Sequence, residues 1–303
     1  MTQPSPIPPR QGEKCALCGD SRHHVRFEKL SRRFLECRSC GLVWIEPMPS
    51  PQSLQTYYQS AYSDGAGRYV PFMKAQEIRR LIAEHRMHRI RKRIDGNSDA
   101  GRWLDVGCTT GDFIAASVEI GARGEGIDIS GDAVAKAVER GLVAHHCRAE
   151  DFEPASPYRV VTAFDLIEHL LDPRAFVRRI RKWLSRDGWF VLTTPNVRSI
   201  LPQWLMRRHW FYYWPDEHLF YFDPDTITRL LEEEGLSVIE VCRAYKPLTL
   251  DYATRNLEAF NRSLGPAARR VTSILPKRLR SRPVPMYTGE MMVIARPARG
   301  DSR

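Results

Sequence analysis

The 303-residue chain contains no apolar run approaching the ~20 residues that a bilayer-spanning helix needs. Residues 1–12 are rich in proline and carry no apolar core, so they do not read as a secretory signal; a disordered leader is the expectation for them. There is no internal repeat, which excludes solenoid and propeller architectures. These absences favour a cytoplasmic protein whose thiols stay reduced. Acids are also scarce, 36 against 46 lysines and arginines, for a net charge of +10. The imbalance is local. Arg79, Arg80, Arg86, Arg89, Arg91, Lys92 and Arg93 crowd one segment. Arg269, Arg270, Lys277, Arg278, Arg280 and Arg282 crowd another that has no acid in it. Such patches can attract phosphates, nucleic acid or an anionic lipid face. They can equally be solvated helix faces whose arginine stems lie over apolar neighbours.

The glycine pattern of dinucleotide-binding proteins, G-x-G-x-x-G, is missing too. The chain has instead Arg102-Trp-Leu-Asp-Val-Gly-Cys-Thr-Thr-Gly-Asp-Phe-Ile114. An apolar run ends in an acid and turns through Gly107 and Gly111 into a new apolar pattern. A second run, Glu125-Gly-Ile-Asp-Ile129, ends in Asp128. Strand, glycine turn, helix and strand-end acid are the parts of a nucleoside-binding βαβ unit. A carboxylate at Asp128 can accept both hydroxyls of a ribose. A pyrophosphate at a helix N-terminus wants bare amides, and Asp105 beside the loop would repel it. Asp105 suits a cationic ligand with an amino group.

Those residues resemble the class I methyltransferases that bind S-adenosylmethionine (SAM). Their loop usually reads D-x-G-x-G-x-G, and here Thr109 stands at the middle glycine. The resemblance implies a SAM site formed by Asp105, Gly107, Thr109, Gly111, Asp128, Ile129, Glu150 and Asp165. In that family the turn after the third strand meets the adenine; either Glu150 or Asp151 could accept its amine, and Asp151 reads equally well as a helix cap.

Cys15-x-x-Cys18 and Cys37-x-x-Cys40 are separated by eighteen residues, and each pair is followed by a glycine, Gly19 or Gly41. Four thiolates at this spacing satisfy a tetrahedral, structural Zn²⁺. Short hairpin strands around Val25–Phe27 and Phe34–Glu36 complete a zinc ribbon. Cys108, Cys147 and Cys242 read as core residues. The run from Cys37 through Met48-Pro-Ser50, with Tyr57, Tyr58 and Tyr62 after it, is similar to a bacterial family in which such a ribbon precedes a class I methyltransferase domain.

Strands are expected at 102–107, 124–129, 142–147, 159–165, 188–194, 236–244 and 289–296. Helices are expected near 74–93, 111–120, 131–140, 173–185 and 224–234. Alternation of this kind implies an α/β, Rossmann-like, doubly wound seven-stranded sheet, with a small N-terminal zinc ribbon. The expected division is leader 1–12, ribbon 13–50, linker and basic helix 51–98, and methyltransferase domain 99–303. Acceptor-site insertions fall near 198–222 and 245–288. The first is dense in aromatics and reads as a lid helix, a sugar- or base-stacking surface, or a membrane-resting face.

Asp165, Glu168 and His169 crowd a strand end, and His218 follows in Trp214-Pro-Asp-Glu-His-Leu-Phe-Tyr-Phe222. Both pieces resemble the ribbon-bearing family, the ubiquinone-pathway O-methyltransferases and the small-RNA 3′-terminal 2′-O-methyltransferases. In the latter two, an acid-x-x-Glu-His set, joined in the RNA enzymes by a later histidine, holds a divalent ion. The resemblance therefore implies a second metal site at Glu168, His169 and His218. His169 and His218 are the candidates for general base or metal ligand. The structural alternatives are that His169 caps the next helix and that His218 packs through a satisfied hydrogen bond.

The sequence thus points to SAM-dependent O-methylation of a small-molecule or glycan acceptor. An RNA 2′-O-methyltransferase and a non-catalytic scaffold binding nucleic acid or a partner stand as alternatives.

Overall fold

A computed structural model describes residues 14–63, 75–94, 101–260 and 264–298. The expected leader at 1–12 lies outside them. Two sheets organise these residues. The smaller has the order β1 (His23–Lys29), β2 (Arg32–Cys37), β3 (Val43–Glu46) and β9 (Phe220–Tyr221), and all its pairings are antiparallel. Helices α1 (Pro51–Ser63) and α2 (Gln76–Arg91) follow it in the chain.

The larger sheet is built from β4 (Arg102–Val106), β5 (Arg123–Asp128), β6 (Val143–His146), β7 (Tyr158–Phe164), β8 (Leu184–Pro195), β10 (Leu236–Leu248) and β11 (Val284–Pro297). Its spatial order is β10-β11-β8-β7-β4-β5-β6. The five strands from β8 to β6 are parallel, whereas β11 runs antiparallel to both β8 and β10. All seven expected strands are present. Four helices alternate with them: α3 (Asp112–Glu119), α4 (Gly131–Glu139), α5 (Pro173–Trp183) and α6 (Pro224–Glu233).

Local chemistry explains the boundaries. Asp172 accepts the amide of Ala175 at 2.9 Å, and Pro173 occupies the first turn of α5, an N-terminus pre-organised by the fixed φ of proline. This cap belongs to Asp172, not to His169. Helix α5 buries Phe176, Val177, Ile180 and Trp183, each worth about 1.5–3 kcal/mol when removed from water. Asp223 and Thr226 cap α6 reciprocally.

The expected lid helix near 198–222 is not a regular helix. The chain makes short helical turns at Leu201–Leu205 and Arg207–His209 there. The second insertion carries α7 (Leu250–Phe260), α8 (Leu264–Ser273) and α9 (Lys277–Arg280). No helix among the described residues is long and apolar enough to cross a membrane.

Two strands escaped the sequence reading, β3 and β9, and their pairing brings a segment of the catalytic half into the cysteine-bearing sheet. Val43 pairs with Tyr221 and Trp44 with Phe220. The amide of Leu219 donates to the carbonyl of Glu168 at 2.8 Å. Backbone hydrogen bonds therefore run from the cysteine-bearing sheet to the residue beside His169.

Candidate active site

Three consecutive parallel strands end at one crevice. Beyond β4, the chain turns through Gly107, Thr109 and Gly111, all at positive φ. A Cβ on Gly111 would stand 2.6 Å from Leu142 Cδ1 and 3.1 Å from Ala137 Cβ, so the close approach of α4 leaves no room for one. Thr109, a β-branched residue, adopts φ 47°. That conformation is strained; it turns the Thr109 amide onto Asp128 Oδ2 at 2.8 Å. The amide of Ser130 donates to Oδ1 of the same carboxylate, also at 2.8 Å. Asp128 is thereby fixed at the end of β5, and its burial pushes its carboxyl above the usual range despite these amides.

Asp105 is buried and accepts from the Thr162 hydroxyl at 2.6 Å. Burial raises its carboxyl to about 7, against the opposing pull of Thr162 and the Arg86 charge. Ile129 is exposed beside Asp128. Glu150 faces solvent and pairs with Arg148 at 3.3 Å. Asp151 sits in the same turn, where its amide reaches the Arg148 carbonyl, and it caps no helix.

Asp165, at the end of β7, also takes a positive φ, 52°. Arg86 reaches its Oδ2 at 2.7 Å and Lys246 at 3.1 Å, while the Thr193 hydroxyl donates to Oδ1 at 2.8 Å. Although burial opposes ionisation, the nearby Lys246 and Arg86 charges win and hold the Asp165 carboxyl below the usual range. Lys246 also pairs with Glu290, which in turn accepts from the Tyr212 hydroxyl. Arg86, Lys246, Tyr212 and Glu290 were not recognised from sequence as site residues. A signal existed for Glu290: an acid inside the apolar run Glu290-Met-Met-Val-Ile-Ala295 is either misplaced or buried with a cation.

The histidines lie next to this network. The rings of His169 and His218 are 4.6 Å apart, nearly perpendicular. His218 Nδ1 lies 2.8 Å from the Tyr212 carbonyl. A carbonyl only accepts, so the assigned tautomer carries its proton on Nδ1 and leaves Nε2 as the basic nitrogen. His169 Nδ1 meets the Tyr58 hydroxyl at 2.8 Å. Burial pushes the imidazole of His169 below its ordinary pKa, so it is neutral at pH 7. Glu168 is fully buried, and its carboxyl is driven well up, first by burial and then by Asp165. Its Oε2 accepts from Thr194 at 3.0 Å, while Oε1 has no hydrogen-bond partner among the described residues. One ligand atom from each of Glu168, His169 and His218 lies within 4.8 Å of the others.

Helix α1, which follows the ribbon in the chain, also reaches this place. Tyr57 donates to Glu217, the neighbour of His218. The four sulfurs of Cys15, Cys18, Cys37 and Cys40 converge, with Cys15 to Cys40 and Cys18 to Cys37 both at 3.5 Å. A thiolate tetrahedron with Zn–S of about 2.3 Å has an edge of about 3.8 Å, so the cluster is close to that size. Gly19 and Gly41 close its two turns at positive φ.

Residues 73–241 match a family model described as a methyltransferase domain. The chain is 29% identical over 167 residues to a ubiquinone biosynthesis O-methyltransferase of Thiobacillus denitrificans, covering 49% of this chain and 70% of that one. A ubiquinone biosynthesis O-methyltransferase of Burkholderia pseudomallei is 24% identical over 222 residues, covering 68% and 92%. Among solved structures, the Burkholderia thailandensis 1,6-didemethyltoxoflavin-N1-methyltransferase, bound to its substrate and S-adenosylhomocysteine, matches with TM-score 0.51 at 15% identity, covering 91% of this chain and 99% of that one. A SAM-dependent methyltransferase from Thermotoga maritima matches with TM-score 0.51 at 14% identity, covering 80% and 99%. At these identities the solved structures speak for the fold, and the family model speaks for the family. The chain belongs to the methyltransferase-domain family and is a class I SAM-dependent methyltransferase.

Proposed function

We propose that this enzyme methylates a hydroxyl oxygen of a small-molecule acceptor, with a sugar hydroxyl in glycan or natural-product biosynthesis as the favoured class. The observation that carries this reading is the buried Glu168, His169 and His218 cluster beside the strand-end crevice. The curated proteins similar to this chain are named as O-methyltransferases, which supports oxygen as the acceptor atom.

Each residue has a role in this reading. SAM supplies an electrophilic methyl on a sulfonium centre. Asp105 receives its ammonium group and Asp128 its ribose hydroxyls. Gly107, Thr109 and Gly111 bring the backbone alongside, and Ile129 and Glu150 line the adenine side. Asp165, already held by Arg86 and Lys246, shapes the end of the crevice nearest the methyl. The acceptor oxygen attacks in line: the C–O bond forms as C–S breaks. His218 Nε2 takes the hydroxyl proton, and His169 lies against the His218 ring and is oriented by Tyr58. General-base help of this kind contributes about 10²–10⁴-fold.

The same three residues fit a divalent cation, because a buried carboxylate oxygen with no partner among the described residues and two imidazoles within 4.8 Å form an oxygen–nitrogen donor set. Glu168, His169 and His218 would hold it, and its charge would acidify the acceptor hydroxyl. Cys15, Cys18, Cys37 and Cys40 would hold a structural Zn²⁺. An RNA 2′-O-methyltransferase would share the histidine cluster, but Arg79, Arg86 and Arg93 of the patch that suggested nucleic acid are paired with acids of the fold.

One experiment tests the core of this reading: calorimetric titration with SAM, combined with turnover on a panel of hydroxylated acceptors. Asp128→Ala should abolish SAM binding. His218→Ala should keep SAM affinity and lose about 10²–10⁴-fold in kcat. Unchanged SAM affinity in the first variant would sink the ribose assignment, and unchanged kcat in the second would remove His218 from proton transfer. Metal analysis should find one zinc per chain. Chelating that zinc should lower turnover through the contacts of Tyr57 and Tyr58 and the β3–β9 pairing; full turnover by zinc-free protein would show that the ribbon does not shape the site.

A further inference from the structure

We infer that the carboxyl edge of the large sheet docks on an anionic lipid surface through α8, α9 and the turn at 200–208. This goes beyond the acceptor reading and does not depend on it. From Leu264 to Val284 the chain has six cations and no acid. Arg269, Arg270, Lys277, Arg278 and Arg282 are exposed. Large apolar side chains are exposed among them: Ile274 at 82% and Val271 at 66%, with Leu275 and Leu279 also open. Val271, Ile274 and Leu275 have the spacing of one helical face, and the turn bonds Ile274 to Val271 and Leu275 to Thr272 continue α8 past its end.

A second patch has the same composition. Trp204 is 82% and Leu205 75% exposed, Ile200 is also open, and exposed Arg207 and Arg208 follow them. No acid occurs between Pro195 and Pro215. The two patches leave the same edge of the sheet. One follows the carboxyl end of β8, and the other follows that of β10, which is parallel to β8 because both are antiparallel to β11. Trp210 Nε1 ties the first insertion to the Thr288 carbonyl at the base of the second, at 3.4 Å.

Water does not favour such a surface, because isolated apolar residues are ordinary on a protein whereas clusters of them mark interaction sites. The chemistry of the cluster selects the occupant. Phosphates of a nucleic acid would be matched by arginines but give nothing to Ile274, Leu279 and Leu205. An interfacial layer takes both, with cations at anionic headgroups and aliphatic and tryptophan side chains at the acyl boundary.

The test is co-sedimentation of the full chain with vesicles, in pure phosphatidylcholine and in a mixture containing roughly a quarter phosphatidylglycerol. The expected result is binding to the mixed vesicles alone, weakened about tenfold between 0.1 and 0.5 M NaCl as the Debye length shortens. Arg278→Ala with Arg282→Ala should reduce it, and so should Ile274→Ser with Leu279→Ser. All four side chains are exposed, so both variants should fold and keep full SAM affinity; that control separates failure here from failure of the cofactor site. Equal binding to neutral vesicles, no binding to either, or binding unchanged in both variants would overturn the inference. So would capture of single-stranded RNA in place of vesicles, or a dimer that the Ile274→Ser, Leu279→Ser variant dissolves.

Discussion

Two basic segments look alike in the sequence, yet in the folded protein one sends several of its arginines inward and the other turns most of them to solvent. Along α2 and the turn just after it, Arg79 meets Asp112 at 2.8 Å with both side chains buried, Arg86 meets Asp165, Arg93 meets Glu240 at 2.6 Å, and Arg89 reaches Cys242 Sγ at 3.2 Å. Along α8 and α9, most of the arginines face outward, and the half-buried Arg280 reaches Asp251 at 3.3 Å. The acids that answer α2 come from α3, β10 and the end of β7, up to 147 residues away in the chain. A charge run therefore does not announce whether it is a surface or a seam. The difference is made by what other elements bring to it, and only burial turns an arginine from a solvated cation into a structural one.

That comparison can be broken by substitution. The largest effect is expected at Arg79→Ala, which leaves the buried Asp112 with Arg140 and Thr110 beside it. Removing one partner of a buried pair costs about 3–5 kcal/mol, and the remaining Arg140 contact places the loss near the lower end. Urea unfolding measures it; a loss below about 1 kcal/mol would mean that α2 is a solvated helix after all.

A second, smaller effect is electrostatic and works through pH. Burial holds the Asp105 carboxyl up at about 7, and the Arg86 charge opposes that rise. An acid raised in this way is protonated below its folded pKa and cannot hold an ammonium group there. SAM affinity should then fall as pH drops below about 7, approaching tenfold per unit. The stability sign is opposite. The unfolded chain releases this proton near pH 4 and the folded one near 7, so this group makes folding less favourable as pH rises through that window, with no further change above it. Arg86→Ala removes the opposing charge and should move the affinity loss to higher pH, whereas Asp105→Asn should flatten the profile. Titrations with SAM between pH 5.5 and 8.5 would show it, and coincident wild-type and Arg86→Ala profiles would count against the coupling.

The smallest effect belongs to the exposed segment. Arg278→Ala with Arg282→Ala should change stability by no more than about 0.5 kcal/mol and leave the SAM profile where it was. A large destabilisation would show that α8 and α9 carry paired charges like those of α2, and would erase the contrast.

The site was legible to different depths. Asp105, Gly107, Gly111 and Asp128 could be read because their order along one βαβ unit is local, and the structure gathers them at adjacent strand ends. The four cysteines could be read because each knuckle is a local turn closed by its own glycine. Glu168 and His169 were visible as polar residues at a strand end, and His218 as a histidine in an aromatic loop. Their convergence was implied by the family resemblance and not by the residues themselves, because it depends on β9 being drawn toward β3 and on Leu219 bonding back to Glu168. Lys246 stayed hidden for the same reason: it looks like an unremarkable charge until β10 and β11 pair and bring it to Glu290.

By itself, the sequence determined the alternation of strands and helices, the glycine turn and the cysteine knuckles, because periodicity, backbone conformation and ligand spacing are set within a few residues. Only the tertiary structure decided which arginines are buried, which tyrosines orient the histidines, and that the cysteine-bearing sheet continues into the catalytic half. Those outcomes depend on pairing between strands and on charges meeting across more than a hundred residues. Desolvation then makes each such meeting obligatory, since a buried charge or amide left without a partner is costly.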